Sequence, residues 1–112
     1  LIRKKDHAPF AMAGLWEHWE SKSSGELIDS FTILTTEPNS LMKPIHDRMP
    51  VILAKQDEAE WLDPGNHDTQ RLMHLLRPCP SEWLEAYEIS PAINSPRNNS
   101  PELLEPVVPG LL

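Results

Sequence analysis

Residues 9–36 read Pro-Phe-Ala-Met-Ala-Gly-Leu-Trp-Glu-His-Trp-Glu, then Ser-Lys-Ser-Ser-Gly-Glu, then Leu-Ile-Asp-Ser-Phe-Thr-Ile-Leu-Thr-Thr. The first run mixes apolar and small residues around Gly14, which suits a strand over Pro9 to Trp19 that is close-packed or bulged at the glycine. The middle run is a turn by composition. The third, Leu27 to Thr36, is rich in β-branched Ile28, Thr32, Ile33, Thr35 and Thr36, so a second strand follows and the two form a hairpin. Alternation after Trp16 puts Trp16 and His18 on one face and Glu17 and Trp19 on the other. Glu17, His18 and Glu20 lack the two-histidine helical spacing of a zinc protease and read as a solvated strand end.

Downstream lies the one stretch where chemistry is concentrated, Pro44-Ile-His-Asp-Arg-Met-Pro50. The two prolines fix their own backbone angles and steer Lys43 and Met49 away from helix, which predicts a stiff loop. His46 is a side chain of the type that exchanges protons near neutrality, and Asp47 and Arg48 stand ready to orient it. On the residues alone a plainer reading stands beside this one. Asp47 then caps a turn, Arg48 pairs with a surface carboxylate, and His46 is a satisfied loop residue. Before the loop, Asn39 or Ser40 is suited to cap one helical turn over Ser40 to Met42. After it, Val51 to Ala54 is short and apolar enough for a buried strand.

The rest reads as support. Gln56 to Leu62 has an acidic start and apolar Ala59, Trp61 and Leu62, the pattern of a short amphipathic helix ended by Asp63-Pro-Gly. Asn66 or Asp68 can cap a second helix through Arg77, with Leu72, Leu75 and Leu76 as its stripe. His67 and His74 share a face but lack a third ligand. Ile2 to His7, with Arg3, Lys4 and Lys5, reads as a solvated turn, and Tyr87 to Ser90 as a last strand. Residues 91–112 read as a proline-rich tail that wraps a body, with Glu102 to Pro109 docking as an extended or one-turn segment.

Totals set outer bounds. A chain of 112 residues is one domain at most. A net charge of −7 argues against a broad face for phosphates, though not against a small local basic groove. Twelve prolines against four glycines, most of the prolines from Pro78 onward, favour an extended C-terminal third. A single cysteine, Cys79, flanked by prolines, has no disulfide or CxxC partner, which fits a reducing cytoplasmic compartment and a buried or loop thiol. No apolar run spans a bilayer and no signal peptide is visible. The first residue, Leu1 rather than methionine, reads as the start of a fragment.

Several segments together resemble the SOS response-associated peptidase (SRAP) family of abasic-site processing proteins: Phe10-Ala-Met-Ala-Gly-Leu-Trp-Glu, Phe31-Thr-Ile-Leu-Thr-Thr-Glu-Pro-Asn, Pro44-Ile-His-Asp-Arg-Met-Pro-Val-Ile-Leu, Trp61-Leu-Asp-Pro, Ser90-Pro-Ala-Ile-Asn and Ser100-Pro-Glu-Leu. The resemblance runs essentially end to end, and His-Asp-Arg-Met-Pro is its most specific part. It implies an α+β fold with a curved, mainly antiparallel, barrel-like sheet and short peripheral helices, of which residues 1–112 are the C-terminal part. It implies single-stranded DNA carrying an abasic site as partner, with no cofactor, metal or membrane. In the family an N-terminal cysteine forms a Schiff base with the opened sugar and closes it to a thiazolidine crosslink, with autopeptidase and possible lyase activity. By that resemblance His46 assists proton transfer, Thr35 and Arg48 line the DNA channel, and Asp47 supports the loop.

The family's N-terminal cysteine, its Asn-Ala-Arg motif and its Gly-aromatic-aromatic-Glu-Trp motif with the catalytic glutamate have no counterpart here. Glu17 falls in the following strand and does not inherit the glutamate's role. Cys79 is internal and has no free α-amine. The expectation is therefore an enzyme half that is inactive alone and, lacking the strands that complete the domain, prone to self-association. The alternative is a catalytically dead remnant acting as a protein-interaction module. A third option, an unrelated small domain using His46 as a base, leaves the run of matched segments unexplained.

Overall fold

A computed structural model describes residues 1–107. The strands are β1 (Ile2–Lys4), β2 (Ala11–Met12), β3 (Gly14–Glu20), β4 (Leu27–Ile33), β5 (Thr35–Thr36), β6 (Met49–Pro50), β7 (Ile52–Leu53) and β8 (Leu84–Ala86). Two helices, α1 (Lys55–Leu62) and α2 (Thr69–Met73), lie between β7 and β8. The pairing is antiparallel throughout and falls into four two-stranded ladders, β1 with β8, β2 with β7, β3 with β4 and β5 with β6. The expected α+β class with antiparallel pairing is found. No closed barrel forms among the described residues, because the ladders meet at a junction instead of continuing round.

That junction is made by three residues. The N–H of Ala13 donates to Val51 O at 2.8 Å, that of Val51 to Leu34 O at 2.9 Å, and that of Leu34 to Ala13 O at 2.9 Å. Each residue sits between two short strands of its own segment, so at this ring of three bonds each segment drops one partner and takes up another. Segment 11–20 leaves β7 for β4, segment 27–36 leaves β3 for β6, and segment 49–53 leaves β5 for β2. Ala13 and Val51 are fully buried, so these backbone groups have no water to fall back on. Gly14 follows directly, and a Cβ there would stand 3.0 Å from the backbone oxygen of Thr32, which accounts for the glycine.

Two apolar clusters flank the junction. Met42, Met49, Ile52, Cys79 and Leu84 form one, with Ile2, Phe10, Leu41 and Trp83 against it. Ala13, Val51 and Leu53 form the other, beside Leu34, Trp61, Leu75 and Leu76. In an uninterrupted strand Met49, Val51 and Leu53 would share a face. Here Met49 joins Ile52 while Val51 joins Leu53, so the segment turns between 49 and 51 where it changes partner.

The expected hairpin is present, running from Gly14↔Ile33 to Glu20↔Leu27, but the strands expected over 9–19 and 27–36 are each interrupted, at Ala13 and at Leu34, where they change partner. Gly25, at φ +70°, closes its loop. The helix expected over 56–62 is present, and Trp61 Nε1 donates to Gly14 O at 3.2 Å, tying α1 to the start of β3. The second helix is capped by Asp68, whose Oδ1 accepts from Arg71 N at 3.1 Å, but it closes at Met73 instead of Arg77. Beyond it the bonds tighten to the three-residue spacing, Leu75 N to Leu72 O and Leu76 N to Met73 O, which brings Leu75 and Leu76 onto the second cluster.

Two expectations are corrected. Ile2–Lys4 is a strand where a solvated turn was expected, and the last paired strand is Leu84–Ala86, ahead of the expected Tyr87 to Ser90. Each supplies the other's ladder across some 80 residues, with Arg3 Nε on Glu85 Oε1 at 2.7 Å and the Arg3 guanidinium 5.0 Å from the Tyr87 ring centroid. Within the expected wrapping tail, Pro91–Asn94 and Pro101–Leu104 are single 3₁₀ turns. The tail is tied back by an Ile89↔Pro106 bridge and by Tyr87 Oη donating to Leu104 O at 2.6 Å. Residues 108–112 lie outside the described part.

Leu84 is 1 % exposed at the centre of the first cluster. Leu84→Ala is expected to cost about 2–5 kcal/mol, through lost transfer energy and a residual cavity. Urea denaturation followed by far-ultraviolet circular dichroism measures it; a loss under about 0.5 kcal/mol would show that this cluster is not what secures β8.

Candidate functional site

The loop between β5 and β6 is built from beneath. Asn39 Oδ1 accepts from Met42 N at 3.0 Å, the expected cap, and Lys43 N, Ile45 N and His46 N close successive turns on Asn39 O and Met42 O at 2.8–2.9 Å. The other end of the Asn39 side chain donates from Nδ2 to Cys79 O at 2.9 Å. Ser40 Oγ meets Ser81 Oγ at 2.7 Å. Met42 and Met49, the apolar residues on either side of the turn, are buried against Cys79 and Leu84. Loop residues 39–42 are thus fastened to segment 79–84, and 43–48 stand exposed beyond them.

On this base the structure brings together all four residues expected to form the site. The ladder Thr35↔Pro50 and Thr36↔Met49 sets β5 against β6, and Arg48, one residue ahead of the ladder, reaches back over Thr35. Its Nη2 donates to Thr35 O at 2.8 Å and to Thr35 Oγ1 at 3.1 Å, and its Nε to Thr35 Oγ1 at 3.3 Å. The guanidinium carries five N–H donors in a planar fork, so this clasp leaves part of the fork free for an anion.

His46 is held by its Nδ1. The Arg48 N–H donates to Nδ1 at 3.1 Å, and Asp47 Oδ1 lies 3.0 Å from the same nitrogen. These contacts belong to different protonation states. With Nδ1 bare the ring accepts from the Arg48 backbone; with Nδ1 protonated it donates to Asp47. Neither contact uses Nε2, so one ring nitrogen is steadied while the other stays available to a bound group. The side chains are open, His46 65 % and Asp47 90 % exposed, so Asp47 acts in water and its pull on the ring is modest.

Sequence reasoning named these four residues but missed what supports them. Asn39 was read only as a cap, whereas it also bridges to Cys79 across 40 residues, and Ser81 received no role; neither contact leaves a local signal. A groove of about 690 Å³ lies away from the loop, lined in part by Lys4, Lys5, Phe10, Lys55 and Trp83. Asp6, Glu58 and Glu82 share its lining, so its charges balance and it offers no basic track for phosphates. Among the described residues no cluster of three metal-ligating side chains occurs, and no helix is long and apolar enough to cross a membrane.

The model of the SOS response associated peptidase (SRAP) family matches residues 1–96. The chain belongs to the SRAP family. Among curated relatives, the abasic site processing protein YoqW of Bacillus subtilis is 50 % identical over 104 residues, covering 93 % of this chain and 46 % of its own length. HMCES of Xenopus tropicalis, also named an abasic site processing protein, is 38 % identical over 99 residues, covering 87 % of this chain and 29 % of its own. A crystal structure of a protein from Bacteroides thetaiotaomicron superposes with a TM-score of 0.81 at 32 % identity, over 96 % of this chain and 47 % of that one. The chain therefore spans about half the length, or less, of the SRAP relatives it matches.

Cys79 is buried beneath the loop, and desolvation pushes its thiol above the ordinary value of 9.0, partly offset by hydrogen bonds at its sulfur. An acid whose folded value is raised favours the folded state below its unfolded value and loses that contribution as pH rises through the folded one. The Cys79 thiol is thus expected to react with an aromatic disulfide reagent at pH 8 far more slowly in the native chain than in urea. Equal rates would mean that the loop does not sit on a closed base.

Proposed function

We propose that this chain supplies the DNA-facing half of an abasic-site processing centre, in which the loop 44–50 meets single-stranded DNA at the lesion. The observation that carries this reading is the Arg48–Thr35 clasp beside His46. It presents a partly free guanidinium and a steadied imidazole on one exposed edge. The names of the relatives support the lesion as substrate.

Four residues take roles in this reading. Arg48 binds a phosphate oxygen with the donors that Thr35 leaves unused, a charge-assisted contact that a chain of net charge −7 needs to make locally. Thr35 holds the guanidinium in plane and limits its rotation. His46 moves a proton at Nε2 when the opened sugar aldehyde condenses with an amine, a step that requires protonation of the departing oxygen. Asp47 stabilises the imidazolium form that donates this proton, and the ring is left neutral as the oxygen departs as water. The amine belongs to a cysteine with a free α-amine, which residues 1–112 do not provide, so these residues alone form no adduct. In this reading the chain's work is binding, orientation and proton transfer.

The test joins the unmatched half of YoqW to this chain and incubates the fusion with single-stranded DNA containing one abasic site. A covalent protein–DNA band is expected. His46→Ala is expected to slow its formation by about 10²-fold or more, within the usual range for removing a general acid–base group. Arg48→Ala should weaken binding about uniformly across sequences and reduce its salt dependence. A folded fusion that crosslinks at an unchanged rate as His46→Ala contradicts the role given to the loop.

A further inference from the structure

Every polar group of Asn39 is engaged at the base of the His46 loop. Its O accepts from Met42 N at 3.1 Å and Lys43 N at 2.9 Å, and its Oδ1 accepts from Met42 N at 3.0 Å. Its Nδ2 donates to Cys79 O at 2.9 Å, and its N–H to Met49 Sδ at 3.3 Å. None of these partners is His46, Asp47 or Arg48. The loop has two legs, and they are held differently. Residues 47–50 are placed by the ladder with β5 and by the Arg48 clasp on Thr35, neither of which uses the Asn39 side chain. Residues 39–46 belong to no ladder. Their order comes from a turn in which Met42 O accepts from Ile45 N at 2.8 Å and His46 N at 2.9 Å, and Met42 in turn stands on Asn39. The polar ties from this turn to segment 79–84 are the Asn39 amide and, beside it, the Ser81 hydroxyl that meets Ser40 Oγ and Leu41 N.

We propose that Asn39 is a positioning residue for His46: by tying the first leg to the Cys79 carbonyl it sets where the imidazole stands relative to the second leg, and so whether Arg48 N–H reaches Nδ1. The effect on rate rests on the role given to His46 above; the geometric part stands without it. Two demands meet at residue 39. Met42 N needs an acceptor and Cys79 O needs a donor, and one carboxamide offers both. A carboxylate in its place keeps the acceptor for Met42 but sets oxygen against oxygen at Cys79. Serine keeps a capping oxygen and is too short to span to Cys79. The bond to Cys79 O is half-buried, so water does not freely replace it when it is lost. The consequence is a split between rate and binding. With that tie removed, Arg48 stays clasped to Thr35 and still offers its free donors to a phosphate, while the His46 ring loses its fixed direction. Misplacing a proton-transfer group lowers the rate of the step and leaves affinity in place.

The experiment compares Asn39→Asp and Asn39→Ser, the second adding no charge, with Tyr87→Phe, which removes the Tyr87–Leu104 bond outside the loop. In the ¹⁵N-labelled 112-residue chain at about pH 8, where an ordinary histidine ring is neutral, both Asn39 variants should move the Arg48 amide proton upfield and shift the His46 ring nitrogens. Arg48 Nε should stay in place, and Tyr87→Phe should move none of these signals. In the fusion with the unmatched half of YoqW, both Asn39 variants should slow the covalent band at saturating DNA by about 10-fold or more, while the DNA concentration for half-maximal rate changes by less than about 2-fold. Where Asn39→Asp does not fold, Asn39→Ser decides. Unchanged Arg48 amide and His46 ring signals in a folded Asn39 variant would overturn the proposal. So would a loss of affinity as large as the loss of rate, or an unchanged rate in a fusion that His46→Ala slows. If His46→Ala itself leaves the rate unchanged, the role of the loop fails instead, and the ring signals alone decide whether Asn39 positions His46.

Discussion

Everything in this chain radiates from the three hydrogen bonds among Ala13, Leu34 and Val51. A net 0.5–1.5 kcal/mol apiece would be a small contribution. Their force is that of a constraint: in a site where Ala13 and Val51 are sealed from water, losing one partner leaves a buried donor and acceptor unpaired, at roughly 1–3 kcal/mol each. The ring therefore admits one arrangement of its three segments. One arm leads out as the β3–β4 hairpin, one as β2 and β7 towards α1, and one as β5 and β6 towards the loop of His46. A small residue at 13 suits this close approach, and at 14 a Cβ would stand only 3.0 Å from Thr32 O.

The loop inherits its order from that arm and from the cluster beneath it. The bonds between Arg48 and Thr35 are exposed, and bonds of that kind contribute little to stability by themselves. They gain value because both ends are already placed, Thr35 one residue past Leu34 and Arg48 one residue before Met49, so little rotamer freedom remains to be lost. His46 is steadied in the same economical way, by a backbone N–H two residues on. An acid–base group presented like this is open to a ligand yet fixed in direction, the condition under which positioning contributes to rate.

Local pattern made the hairpin, the apolar strand after Pro50, α1 and the loop at residues 44–50 legible. β-branching in 27–36 and alternation in 14–19 are properties of a few neighbouring residues, and the loop announces itself by two prolines around an ionisable triplet. The Arg48–Thr35 proximity followed from a family resemblance, since nothing in the spacing of 13 residues dictates it. What stayed hidden was nonlocal. Ile2–Lys4 is basic and short, and only pairing with residues 84–86 makes it a strand. The break of one curved sheet into four ladders depends on where three distant segments meet, and the bridge from Asn39 to Cys79 spans 40 residues.

The proposed DNA-facing edge is tested most directly by titrating the ¹⁵N-labelled chain with a short single strand containing one abasic site and following its amide and arginine Nε resonances. The expected shifts centre on Thr35, His46, Asp47 and Arg48, with the Nε of Arg48 among the largest, while the groove lined by Lys4, Lys5 and Trp83 stays unchanged. Shifts centred on Trp16 and Phe31 or on that groove, or none at residues 46–48 at saturating DNA, would contradict it.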